Sequence, residues 1–346
     1  MKEKKQRIFY FDILNILAIM AVIYMHCNGI VHGNPNVRAW NSSLVVDCIM
    51  YWAVPVFFML AGANLLNYRK RYSTETYFKK RFIKVLIPFI FWAVFMFFWK
   101  SFTHQLIIND FSIKNILNMF FLNAEEPTYY FMFDILGVYL TIPLLSLLIE
   151  KDNRKTLWLT IVLFIIFNSF LPNVLCLFGI YYNNSFSVQF GGYIVYVLLG
   201  YLLSTEDINK KYKYLIYAIG IIGLIFRYIT TFIFSKEAGS VVTTTWGYTQ
   251  WHCIFLSTSV FLLFKDSKIN NIAAKPNITK AISKIASCSF GIYLIHFIIR
   301  HCYIVLFDIN VYAWHFRVFG ALVVYIISLC IILIMKKIPI INKLVP

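Results

Sequence analysis

Long apolar runs alternate with short basic segments along nearly the whole chain. Segments 13–21, 157–167, 214–226 and 322–335 are almost free of charge, and each is the core of a longer apolar stretch. About 20 such residues in a helix cross the hydrocarbon layer of a bilayer. With their flanks, the runs predict ten membrane helices, at roughly 10–30, 44–66, 82–103, 129–149, 157–178, 188–204, 213–234, 248–264, 285–303 and 317–335. The fold class read from this pattern is all-α, a polytopic integral membrane helical bundle. It forms a single domain over 1–346, with no fused soluble domain. Segment 111–122 repeats its apolar residues at helical spacing and predicts a helix lying in the interface. The first apolar run follows a basic start, as a signal peptide would. It is long, lacks a small-residue cleavage site and precedes many more spans, so it reads as an uncleaved first helix.

Composition narrows the class. Hydrophobic residues make up 60% and charged residues 14%, against about 25% charged in a soluble domain. The mean hydropathy is +0.71. A net charge of +17 invites a nucleic-acid reading, but the positions of the charges argue otherwise. With both termini in the cytoplasm, 25 of the 32 Lys and Arg fall in cytoplasmic segments, including Lys2, Lys4, Lys5, Arg7 and Lys151. That asymmetry is the positive-inside rule, and no nucleic-acid partner is expected. The seven cysteines lie in or beside apolar runs without a C-x-x-C pair. Disulfides and a metal site are therefore not expected.

Candidate chemistry is confined to the few ionisable residues inside the spans, which are costly there and usually functional. They are His26, Asp47, Asp134, Arg227, His252, His296, Arg300 and His301. Asp47, His252 and Arg300 read as interfacial side chains that snorkel. Asp134 and Arg227 lie deeper and offer themselves as each other's partner. Asn15 and His26 are eleven residues apart, about three helical turns, and share one face some 16 Å apart along the axis. Imidazole is the usual general base near neutral pH. The cluster YFKKRFIKVLIP at 77–88 sets Arg81 and Lys84 on one helix face, with Lys80 beside them. Such a cluster holds phosphates, orients the span or binds anionic lipid.

These segments resemble the acyltransferase family 3 membrane proteins. FDILNILAIMAVIYMH at 11–26 resembles the family's opening D-x-L-R-x-x-A helix, with a histidine eleven residues after the arginine. VPVFFMLAGANLL at 54–66, KKRFIKVLIP at 79–88, YYFMFDILGVYLTIPLL at 129–145, YIVYVLLGYLL at 193–203 and SFGIYLIHFIIRH at 289–301 resemble later motifs in family order. The resemblance implies a membrane O-acyltransferase in a bacterial cell membrane. Its donor would be cytoplasmic acyl-CoA, usually acetyl-CoA. Its acceptor would be a hydroxyl of a cell-surface glycan or of a lipid-linked precursor.

His26 then takes the place of the essential histidine, Arg81 and Lys84 the two R-x-x-R positions, and His296 and His301 the late-motif histidines. Lys80, Asn15, Arg227 and Asp134 complete the candidate set for donor or acceptor contacts. Four residues depart from the pattern. Asn15 replaces a cation, Lys84 an arginine, Ala61 a serine and Thr128 a histidine. The loss of the cation at Asn15 keeps an alternative open, a glycan exporter on the same fold without acyl transfer.

Overall fold

Apolar side chains on every face of a helix leave no preferred water side, so such helices bury in protein or lipid. The computed structural model describes residues 8–106, 110–124, 126–150, 153–189 and 191–346, without the side chains of 150 and 272–274. Lys2, Lys4, Lys5, Arg7 and Lys151 of the charge count lie outside the described residues. The described chain is helical, in the order α1 Phe9–Cys27, α2 Arg38–Met50, α3 Ala53–Leu65, α4 Thr74–Arg81, α5 Ile87–Phe102, α6 Ile113–Phe121, α7 Tyr130–Glu150 and α8 Arg154–Phe164. It continues with α9 Leu171–Leu177, α10 Ile194–Thr205, α11 Lys210–Ala238, α12 Trp251–Lys265, α13 Pro276–Ala286, α14 Ser289–Leu306 and α15 Ala321–Met335. All seven cysteines are free thiols.

Eight helical segments among the described residues are long and apolar enough to cross a membrane. Two of the ten predicted spans are shorter: α10 has 12 residues and α12 has 15. A short helix is tolerated at membrane depth when protein surrounds it. In α10, residues 195–203 are all buried. The predicted span at 44–66 is a bent unit, Arg38–Lys70, made of α2 and α3. The segment expected to lie in the interface is helical over Ile113–Phe121, as α6, and its Ile113, Leu117 and Phe121 are exposed.

Local rules explain the ends. Asn209 caps α11 by accepting from the Lys211 amide at 3.0 Å, and Gly239 ends it at φ +65. Pro143 lies inside α7 and cannot donate to the Tyr139 carbonyl. The Tyr77 hydroxyl donates to that carbonyl instead, at 2.9 Å. Helices α3 and α10 pack backbone against backbone. A Cβ on Gly62 would strike the Val197 backbone, and one on Gly200 the Met59 backbone. Small residues let backbones approach this way where lipid offers no hydrophobic drive between helices. Helix α1 is central, touching α2, α3, α12, α13, α14 and α15.

Candidate active site

Two cavities lie along α1. The first, of about 610 Å³, is at the end where α1 begins. Asp12 and Asn15 of α1 line it with Asn64 of α3, Tyr139 of α7, Ser287 and Pro346. Arg81 and Lys84 line it from the end of α4 and the turn that follows. Ser73 caps α4, accepting from the Thr76 amide at 3.3 Å. The helix then widens into a π turn over Phe82–Leu86, a feature common at functional sites. The Arg81 guanidinium sits 5.3 Å from the Tyr139 ring centre, so the same residue whose carbonyl takes the Tyr77 hydroxyl also seats the arginine with its ring. Lys84 is exposed, and Arg81 and Asn15 are half-buried. Asn15 donates to the Ala286 carbonyl at 3.1 Å, and Asp12 accepts from the Ser283 hydroxyl at 2.6 Å. This is the basic cavity.

The second cavity, of about 330 Å³, lies toward the other end of α1. His26 lines it together with His32, Asp47, Tyr51, Tyr130, Trp246 and Tyr248. The His26 ring packs 4.5 Å from Phe297 and 5.3 Å from His296, centre to centre. His296 is fully buried, and its Nδ1 lies 2.6 Å from the Tyr293 carbonyl. A carbonyl only accepts, so Nδ1 carries the proton. Nε2 of the neutral ring is then an acceptor. That Nε2 is buried without a hydrogen-bond partner among the described residues. This is the histidine cavity.

Its wall includes one member of a buried ion pair, Asp47. Arg227 of α11, 2% exposed, donates to Asp47 Oδ2 at 2.5 Å and to the Asp47 carbonyl at 3.2 Å. Its guanidinium covers the Tyr51 ring at 3.5 Å, and Tyr51 stacks on Tyr248 at 4.2 Å. The Tyr51 hydroxyl donates to the Trp246 carbonyl, and the Trp246 indole donates to Thr231 at 3.2 Å. The chain between α11 and α12 is thereby pinned against α2 and α3.

The cavities share three lining residues, Phe57, Phe131 and Tyr293. Phe131 lies 5.6 Å from Phe57 and 5.4 Å from Tyr293, centre to centre. Three rings from α3, α7 and α14 form the partition between them.

The predicted residues therefore divide. Asn15, Arg81 and Lys84 meet on the basic cavity, and His26 faces the histidine cavity with His296 packed against it. Lys80, Arg227, Asp134 and His301 line neither. Lys80 covers the Tyr72 ring at 3.7 Å, and His301 lies 6.4 Å edge-on to Trp99. Asp134 is half-buried on α7. Arg227 pairs with Asp47 and not with Asp134. Asp47 and His252, read from sequence as interfacial, are 5% and 2% exposed. Each has a protein partner, Arg227 for Asp47 and Gln250 for His252 at 2.9 Å, which removes the need to snorkel.

Sequence reasoning missed His32, the aromatic lining and the partition. It also missed Glu126, 3% exposed and paired with Lys100 at 2.8 Å. His32 carried no signal because it falls between predicted spans. The rings carried none in a chain that is 19% aromatic.

No curated protein and no solved structure matches this chain. The acyltransferase domain of acyltransferase family 3 matches residues 8–335, nearly its whole length. The protein belongs to that family and is a multi-pass membrane acyltransferase.

Proposed function

We propose that the protein moves an acyl group, acetyl by default, from cytoplasmic acyl-CoA to a hydroxyl. The acceptor is a cell-surface glycan or its lipid-linked precursor, and the setting is a bacterial cell membrane. One observation carries this reading. A cavity with two cations and a cavity with a histidine lie end to end, meeting at three aromatic side chains that line both. Arg81 and Lys84 supply charge for the donor's phosphates. By the positive-inside rule the cavity that Arg81 and Lys84 line opens on the cytoplasmic side, where CoA is found. Asn15 offers an amide in the same cavity.

The chemistry needs little more. A sugar hydroxyl attacks a thioester poorly until a base takes its proton. His26 accepts that proton as the oxygen bonds to the acyl carbon. The tetrahedral adduct collapses and the carbon–sulfur bond breaks. The departing CoA thiolate takes the proton back from the imidazolium. An ester and free CoA thiol result, and the histidine returns to its starting state.

The test uses membranes carrying the protein and radiolabelled acetyl-CoA, with label followed into glycan and lipid-linked fractions. A general base contributes roughly 10²–10⁴-fold in rate. His26→Ala should therefore lose at least about 2.7 kcal/mol of transition-state stabilisation. His26→Gln, which cannot take a proton near neutral pH, should be equally slow, with both variants present at normal levels. Normal transfer by the Gln variant would reduce His26 to a positioning group. Normal transfer by the Ala variant would remove the proposal's base.

A further inference from the structure

Resting on the acyl-transfer reading, we propose that the partition of Phe57, Phe131 and Tyr293 sets the size of the acyl group and limits the enzyme to short acyl donors. The donor's phosphates and the base lie on opposite sides of this partition. A thioester held by Arg81 and Lys84 must bring its carbonyl up to the rings to meet a hydroxyl beside His26. Whatever hangs from that carbonyl has two places to go. It lodges among the rings, or it passes into the histidine cavity, whose volume of about 330 Å³ the acceptor also needs.

The rings leave little slack. Their centres are 5.4 and 5.6 Å apart, within the range of aromatic side chains in contact. Two of the three, Phe131 and Tyr293, are also held from behind. Phe131 rests on Phe58 at 5.3 Å. Phe58 is fully buried and stacks on Tyr193 at 4.3 Å. The Tyr293 hydroxyl donates to the Thr128 carbonyl at 2.8 Å, and the Tyr293 carbonyl accepts from His296. A methyl group fits such a partition with small side-chain adjustment, whereas a longer chain must displace a supported ring. Phe131 is the hub, since it touches both of the others, and its removal opens the partition most.

In an apolar pocket one methylene changes kcat/KM by about 10–200-fold. The wild-type protein, assayed in membranes with acetyl-, propionyl-, butyryl- and hexanoyl-CoA, should lose about tenfold or more for each methylene beyond acetyl. Phe131→Ala should raise the butyryl-to-acetyl ratio of kcat/KM by about tenfold or more. Phe131→Leu, a smaller truncation that keeps apolar bulk, should shift it less in the same direction. An unchanged ratio in Phe131→Ala, with transfer still measurable, overturns the proposal. Loss of all transfer in both variants also overturns it, because the partition would then serve transfer itself and not the length of the acyl group. Wild-type protein that takes every chain length equally sinks the size limit alone. Wild-type protein that takes none sinks the acyl-CoA reading with it.

Discussion

The buried pair of Asp47 and Arg227 yields a quantitative prediction. Both side chains are almost fully enclosed, and their contact is 2.5 Å. Arg227→Met keeps much of the apolar stem and deletes the charge. The Asp47 carboxylate then loses the guanidinium donor that compensates its burial, and Tyr51 loses the cation on its face. Breaking one side of a buried pair costs about 3–5 kcal/mol. Asp47→Leu should cost a similar amount, by stranding the guanidinium. Independent effects would add to roughly 6–10 kcal/mol in the double variant. The double variant should instead approach wild-type stability, because replacing a whole buried pair by apolar residues is often neutral or stabilising. Equilibrium unfolding in mixed micelles of the wild type, both singles and the double closes the cycle. If Arg227→Met unfolds within about 0.5 kcal/mol of the wild type, which is the usual range of an inconsequential surface change, the pair does not hold the wall. Additivity of the two singles would show that they are not coupled, whatever their distance.

Two further outcomes follow from the geometry. Arg81→Ala should raise the KM for acetyl-CoA about tenfold or more, since a hydrogen bond to a charged group is worth about 1.5–3 kcal/mol; Arg81→Lys should lie between, and an unchanged KM would return the cluster to orienting the span. Gly200→Val should destabilise the bundle by roughly 1–3 kcal/mol or more, because the new side chain meets the Met59 backbone and has no rotamer that avoids it; a wild-type melting curve in detergent would show that α3 and α10 separate freely.

The spans were legible because lipid allows so few backbone solutions. A run of apolar residues with basic ends needs no tertiary information to be read as a helix. Helix α10 shows where that reading stops. Its length of 12 residues reflects what surrounds it, and Gly62 and Gly200 carry the reason on two different helices. The placing of Asn15, Arg81 and Lys84 together was legible in part. Arg81 and Lys84 are three residues apart, but Asn15 joins them only through the packing of α1. The Arg227 partnership was not legible. Asp47 and Asp134 are both aspartates far from Arg227 in sequence, Asp134 the nearer of the two, and only the docking of α11 on α2 selects Asp47. The partition failed for a different reason. Phe57, Phe131 and Tyr293 are ordinary apolar positions in three apolar helices, and their role exists only where two cavities meet.

Asn15 bears on the choice between transfer and export. A cation at that place in α1 would add a third positive charge to a cavity that already holds Arg81 and Lys84. The asparagine instead ties α1 to the end of α13 through the Ala286 carbonyl. On the proposed reading, Arg81 and Lys84 would meet the donor's charge, and Asn15 holds the cavity's α1 wall. Export asks something different of the same residues. A glycan would have to pass from one cavity to the other, through three rings supported by Phe58, Tyr193 and the Thr128 carbonyl. Acyl transfer asks only that a carbonyl carbon reach the rings from one side and a hydroxyl oxygen from the other. Three rings in contact, lining the cavity that His26 also lines, fit the requirement of the proposed transfer.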